Sequence, residues 1–270
     1  MEWRNIYRGF LMGASDLVPG VSGGTLAVAL GIYDRLIEAI NGLFTKDFKK
    51  HLRFLIPLGI GIVAAVFLLS KLIKWLLHYY PQPTFFAFLG LVIGILPLLF
   101  RKADARKTFK VQHILLLVIG IALVAYIGIN QTEDTSIVTE FEFSTYLWLL
   151  GSGFLASTAM ILPGISGSFL LLTLGSYYTI INAVDELDFV SIGIVGIGVI
   201  LGILIMSKIL RYLLAAFPTA VYAFVIGMVI GSIFVIFPGW PISVGITIAS
   251  ILTFAIGLFV AYVLGRVEYR

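Results

Sequence analysis

The segment Leu17-Val-Pro-Gly-Val-Ser-Gly-Gly-Thr25 returns half a chain later as Leu162-Pro-Gly-Ile-Ser-Gly-Ser168. Both copies lie inside strongly apolar sequence. A helix cannot run smoothly through Pro-Gly-x-Ser-Gly, because proline removes a donor and clashes with the preceding turn while glycine favours non-helical angles. The chain is 60% hydrophobic and only 12% charged, which places it among polytopic membrane proteins. Lipid does not tolerate broken backbone unless protein or a water-filled cavity covers it. Two matched breaks therefore suggest a built site, one in each half, and point toward a transporter.

Apolar stretches of roughly 17–25 residues are candidate spans. Six occur, at about 54–79, 84–100, 112–129, 190–214, 219–237 and 242–264. The regions 6–43 and 146–183 carry the Pro-Gly breaks, and the short arms of the first fit a re-entrant hairpin better than two full spans. Cationic loops tend to stay cytoplasmic. Arg4 and Arg8, then Lys46, Lys49, Lys50 and Arg53, flank the first hairpin, and Arg101, Lys102, Arg106, Lys107 and Lys110 follow the second span. Segment 130–145 instead holds Glu133, Asp134, Glu140 and Glu142 without a cation, and Asp185, Glu186 and Asp188 follow the second hairpin. These acidic loops are expected outside, while Arg266 and Arg270 return the C-terminus inside. The expected fold is an all-α polytopic membrane protein without a separate soluble domain, with two inverted-topology repeats at 1–130 and 144–270 in one membrane domain. Each repeat is a re-entrant or broken helical hairpin followed by three transmembrane helices. An odd number of spans per half forces the inversion.

The repeat extends beyond the breaks. Gly20, Ser22, Gly23, Leu26, Leu30, Gly31 and Tyr33 align with Gly164, Ser166, Gly167, Leu170, Leu174, Gly175 and Tyr177. After a shift of register, Ser70-Lys71 falls on Ser207-Lys208, Lys74 on Arg211, Pro81 on Pro218, and Gly90 and Gly94 on Gly227 and Gly231. Inverted repeats with broken helices near the midplane recur in secondary transporters. The paired glycines are explained more simply by close helix packing. Packing explains the paired Pro-Gly-x-Ser-Gly poorly.

Free amides at a helix N-terminus attract anions, and glycine lets an anion approach the backbone. Gly23, Gly24 and Thr25 are expected to open one helix after the first break, and Gly167 and Ser168 its counterpart. The hydroxyls of Ser22, Thr25, Ser166 and Ser168 add donors. Such facing ends suit one phosphate or carboxylate. Lys71 and Lys74 share a helix face, as do Lys208 and Arg211. Under inverted threading the first pair lies toward the outside and the second toward the cytoplasm. Snorkelling to headgroups competes with that reading. Asp16 precedes the first break and has Met160 at the equivalent place. It suits either a proton or cation site or a helix-capping role. Arg35 and Glu38, with Asp34, fit local ion pairs at the cytoplasmic interface, where Arg35 can also collect a headgroup.

Other chemistry is thin. His51, His78 and His113 fall near membrane boundaries and read as interfacial rather than metal-binding. The chain has no cysteine and no phosphate-binding loop for ATP. No catalytic residue, metal, cofactor or nucleic-acid partner is expected. Trp3, Trp75, Trp148 and Trp240, with Tyr79, Tyr80 and Tyr146, read as an interfacial belt.

The strings GASDLVPGVSGGTLAVALGIYDRLI and AMILPGISGSFLLLTLGSY resemble the undecaprenyl-phosphate translocase family of bacteria and archaea. The likeness runs over nearly the whole chain. It implies a bacterial cytoplasmic-membrane location, and the loop charges above put both termini on the cytoplasmic side. It also implies movement of polyprenyl phosphate from the outer to the cytoplasmic leaflet for reuse in cell-envelope synthesis. Motif positions carried over are Ser15, Asp16, Pro19, Gly20, Ser22, Gly23, Gly24 and Thr25, then Pro163, Gly164, Ser166, Gly167 and Ser168. Coupling to protons or sodium is an expectation centred on Asp16. A transporter of another phospholipid or small anion, and a membrane enzyme acting on lipid phosphates, are the alternatives.

Overall fold

The computed structural model describes residues 2–18, 20–43, 45–130, 138 and 142–268. Among them are thirteen helices and no strand. The first half runs α1 (Arg4–Asp16), α2 (Gly23–Ala29), α3 (Tyr33–Gly42), α4 (Phe48–Tyr79), α5 (Pro81–Lys102), the single turn α6 (Ala105–Thr108) and α7 (Val111–Ile129). The second runs α8 (Phe143–Ile161), α9 (Gly167–Thr173), α10 (Tyr177–Asp185), α11 (Phe189–Ala216), α12 (Pro218–Ile236) and α13 (Val244–Glu268). Apart from α6, the order of long and short helices is the same in both halves.

Six helices, α4, α5, α7, α11, α12 and α13, are long and apolar enough to cross a membrane, so the chain is a multi-pass membrane protein. Each coincides with one expected span. Helix α4 begins at Phe48 rather than near 54 because Lys49, Lys50 and Arg53 are good helix formers and extend it beyond the apolar stretch. Helices α5 and α12 each start on a proline, Pro81 and Pro218, whose missing N–H costs nothing in the first turn. Asp188 caps α11 by accepting the Val190 and Ser191 amides at 3.1 and 3.3 Å. Large apolar side chains such as Phe67, Leu68 and Ile256 are exposed along the spans, as lipid-facing helices require. Glu133, Asp134 and Glu140 of the acidic loop, and Arg270, lie outside the described residues.

The two broken regions are more finely divided than a hairpin. Each contains three helices and two breaks. Gly20 and Gly164 sit at φ 84° and 89° in the first break, and Gly31 and Gly175 at φ 67° and 70° in the second. These left-handed angles suit glycine and strain other residues. Helices α9 and α10 meet at 109°, so the return arm itself folds back.

Within each half, the first helix packs on the first long span, α1 on α4 and α8 on α11. The remaining spans exchange partners: α5 packs on α13, and α7 on α12. Paired glycines make these contacts backbone-close. A Cβ at Gly90 would stand 2.1 Å from the Phe254 carbonyl oxygen, and one at Gly227 would stand 2.0 Å from that of Leu117. Gly94 and Gly231 face Ala261 and Val124 in the same two seams. The packing role expected for these four glycines is therefore met, with the partner always in the other half.

Candidate functional site

The two Pro-Gly motifs meet. The Gly164 amide donates to Thr25 Oγ1 at 2.8 Å, and Ser22 Oγ donates to the Leu162 carbonyl at 3.4 Å. Ser22 also caps α2 by accepting from the Thr25 amide at 3.4 Å. Ser22 and Thr25 thus tie one tip to the other across 140 and 139 residues of sequence. Pro19 lies outside the described residues. Ser15 is buried and donates to the Met12 carbonyl within its own helix, away from any partner on the second tip.

Asp16 takes up an amide of the first tip. Its Oδ1 accepts from the Gly23 N–H at 2.6 Å, and a Cβ on Gly23 would lie 2.7 Å from its other oxygen. Asp16 thus makes a structural hydrogen bond to the first turn of α2, whose N-cap is Ser22. Across the junction, Ser166 Oγ and Ser168 Oγ lie 2.9 Å apart. Met160, at the place equivalent to Asp16, is 53% exposed and carries no charge. The tips are therefore chemically unequal: a carboxylate occupies the first, and a pair of hydroxyls lines the second.

Burial is unequal too. Every residue of α2, Gly24 included, is buried. In the second tip Pro163, Gly164, Ser166 and Gly167 are buried, but Ser168 is exposed and much of α9 is only partly covered. One end of the first half is also latched. The Tyr222 hydroxyl donates to Asp34 Oδ1 at 2.8 Å, and Lys102 pairs with Asp34 Oδ2 at 2.8 Å. The Asn41 side chain donates to the Ser207 carbonyl at 2.8 Å, closing α3 onto α11. Ser207 is fully buried there, whereas its repeat counterpart Ser70 is half-buried. Arg35 pairs with Glu2 and stacks over Phe54 at 4.8 Å, and Arg8 pairs with Glu268. The local ion pairs expected of Asp34 and Arg35 thus bridge separate elements.

The four span cations stand apart from the tips. Lys71, Lys74, Lys208 and Arg211 are all exposed, and none hydrogen-bonds to either motif among the described residues. Arg211 lines a cavity of about 300 Å³ with Asp34, Glu38, Leu214, Pro218 and Tyr222. Arg35 and Glu38 line a neighbouring cavity of about 370 Å³ with Asp34, Lys50, His51 and Phe54. His113 Nδ1 accepts the Lys110 amide at 2.9 Å and so serves the start of α7. Sequence reading missed Tyr222 and Asn41. Neither has a matching partner in the other half: Phe85 stands opposite Tyr222, so repeat symmetry gave no signal.

With this geometry in hand, the chain can be set beside known proteins. It matches the undecaprenyl phosphate translocase-like family over residues 12–251. A polyprenyl-phosphate transporter of Staphylococcus aureus is 42% identical over 274 residues, covering 98% of this chain and 97% of that protein. A polyprenyl-phosphate transporter of Vibrio cholerae is 37% identical over 252 residues, covering 88% and 79%. No solved structure matches the chain at a significant level. The shared length and the joined motifs lead to one assignment: the chain belongs to the undecaprenyl phosphate translocase-like family.

Proposed function

We propose that this protein carries polyprenyl phosphate from the outer to the cytoplasmic leaflet of the bacterial cytoplasmic membrane, for reuse in envelope synthesis. The observation that carries the reading is the contact between the two hairpin tips, Gly164 N–H on Thr25 Oγ1. It brings two helix breaks, one from each half, to a single place inside the protein. The transporter names of the Staphylococcus and Vibrio relatives support the cargo. The matching helix order and the exchanged span partners support inverted repeats, with both termini cytoplasmic.

The cargo dictates the mechanism. A phosphate monoester is costly to bring through hydrocarbon, while an isoprenoid chain is at home there. The protein shields the headgroup and leaves the chain in lipid. Hydroxyls and amides at Ser22–Thr25 and Ser166–Ser168 receive the phosphate at the tips, with Pro19, Gly20, Pro163 and Gly164 shaping the turns and Ser15 bracing α1. Lys71 and Lys74 gather it on one side, and Lys208 and Arg211 release it on the other. Arg35 and Glu38 flank the release path. Asp16 holds the first tip until the phosphate, or a coupling proton or sodium ion, displaces it from Gly23. The cargo emerges chemically unchanged, so the activity is transport rather than catalysis. The α3 latch through Asp34, Tyr222 and Asn41 closes the cytoplasmic side in this state.

Liposomes containing the full chain and labelled polyprenyl phosphate in one leaflet provide the test. The label is expected to change leaflet without losing phosphate. Release of inorganic phosphate would replace this reading with an enzyme, and movement of other phospholipids at the same rate would broaden the cargo. Neutral replacements at Lys71, Lys74, Lys208 and Arg211 are expected to slow movement about tenfold or more, the scale of a lost charged hydrogen bond. An unchanged rate would remove the cations from the path.

A further inference from the structure

Helices α7 and α12 touch backbone to backbone, because Gly120 and Gly227 carry no side chain in their seam. Helix α11 stands off from α7 and leaves a lateral groove of about 450 Å³ floored by α12. Every lining side chain is apolar. Its α11 wall is the stripe Met206, Ile209, Leu213 and Phe217, which recurs at helical spacing. From Met206 to Phe217 the groove follows eleven residues of helix, about 16 Å at the helical rise. That is about half of a ~30 Å hydrocarbon core, or one leaflet.

The two ends of the groove fix what belongs in it. On the side of the tips it is lined by Leu162, whose carbonyl accepts from Ser22 at the joined motifs. Its other end is the α11–α12 corner. There Phe217 and Val221 face the groove, while the adjoining Pro218 and Tyr222 face the cavity of Arg211 and Glu38. An apolar channel one leaflet long therefore runs from the tips to a charged mouth.

We infer that this groove seats the isoprenoid chain of the lipid while its phosphate passes between the tips and the Arg211 mouth. The inference rests on the transport reading above and adds the site of the tail. Association inside a membrane is driven by van der Waals fit, since lipid is as apolar as the groove wall. A chain that fits the groove gains packing that bulk lipid does not supply. A tail longer than the groove trails into the bilayer, so affinity rises with chain length only until the groove is filled.

The test uses the full chain in liposomes with a polyprenyl phosphate bearing a photoreactive group in its first isoprene units. Crosslinks are expected within residues 116–123 and 206–225, which line the groove, and are suppressed by excess unlabelled polyprenyl phosphate but not by phosphatidylglycerol. Ala220→Trp fills the floor, and Ile209→Trp fills the half-exposed rim and tolerates a larger side chain. Each is expected to cut labelling about tenfold, the discrimination a hydrophobic pocket gives for small changes of shape. In transport, both variants are expected to raise KM for the long-chain lipid by a similar factor. Crosslinks scattered over other spans, equal suppression by phosphatidylglycerol, or labelling unchanged in both variants would overturn the groove. Leaflet exchange in the same liposomes separates the two readings: absent exchange by wild type sinks the transport reading, whereas normal exchange with scattered crosslinks sinks only the groove.

Discussion

Thr25 illustrates what a residue type reveals and what it hides. A hydroxyl beside Pro-Gly-x-Ser-Gly was legible as a hydrogen-bonding group. Its partner, the Gly164 amide 139 residues away, was not, because nothing local specifies which face of one tip meets the other. Asp16 was legible only as a choice between an ion site and a cap, and its 2.6 Å bond from the Gly23 amide, seven residues on, was not readable from the sequence. Thr25→Val keeps the shape and removes the acceptor. It leaves the buried Gly164 N–H unpaired, which costs about 1–3 kcal/mol. Thermal unfolding in detergent is expected to show a lowered midpoint for Thr25→Val and a near-normal one for Thr25→Ser, which restores the oxygen. Equal midpoints for the two variants would mean that the tip contact carries no stability.

Helices in this chain owe their placement to small residues as much as to apolar ones. The apolar stretches located the six spans because their length matches the bilayer. Repeat alignment singled out Gly90, Gly94, Gly227 and Gly231 as packing positions. It could not say that α5 would pair with α13 and α12 with α7, since any glycine-bearing face can receive another helix. The second break, at Gly31 and Gly175, also escaped notice. Those glycines were aligned as part of the repeat, but no neighbouring proline marks them as a break. Gly227→Ala would set a methyl 2.0 Å from the Leu117 oxygen, which neither backbone can accept without moving. It is expected to cost about 1–3 kcal/mol through overpacking and to lower the thermal midpoint. Gly151→Ala, which meets nothing within 4 Å, is the matched control and is expected to be neutral or stabilising by up to ~1 kcal/mol. Comparable losses in both would shift the cause from the α7–α12 seam to helix propensity.

At the scale of the whole molecule, the sequence halves are related but the structural halves are not in the same state. Helix α2 is wholly buried and α3 is latched to α5, α11 and α12, while Ser168 at the equivalent tip is exposed. Related halves held unequally are what the proposed transport requires if it proceeds by alternating access, because exchanging their states would exchange the open side. The chain contains no cysteine, so single cysteines report position cleanly. In intact cells a membrane-impermeant thiol reagent is expected to label Leu187→Cys, after the second broken region, and to spare Lys107→Cys, in the basic loop before α7. Both side chains are exposed, so the difference reads sidedness. At the tips, Ser168→Cys is expected to react from outside and Ala27→Cys, fully buried, is not. Adding Asn41→Ala and Tyr222→Phe removes two ties of the α3 latch without touching either tip. A population shift away from the latched state then follows, and labelling at 168 is expected to fall while 187 stays unchanged. If 168 reacts equally with and without the latch, the unequal burial of the tips belongs to a fixed scaffold and the latch controls no access.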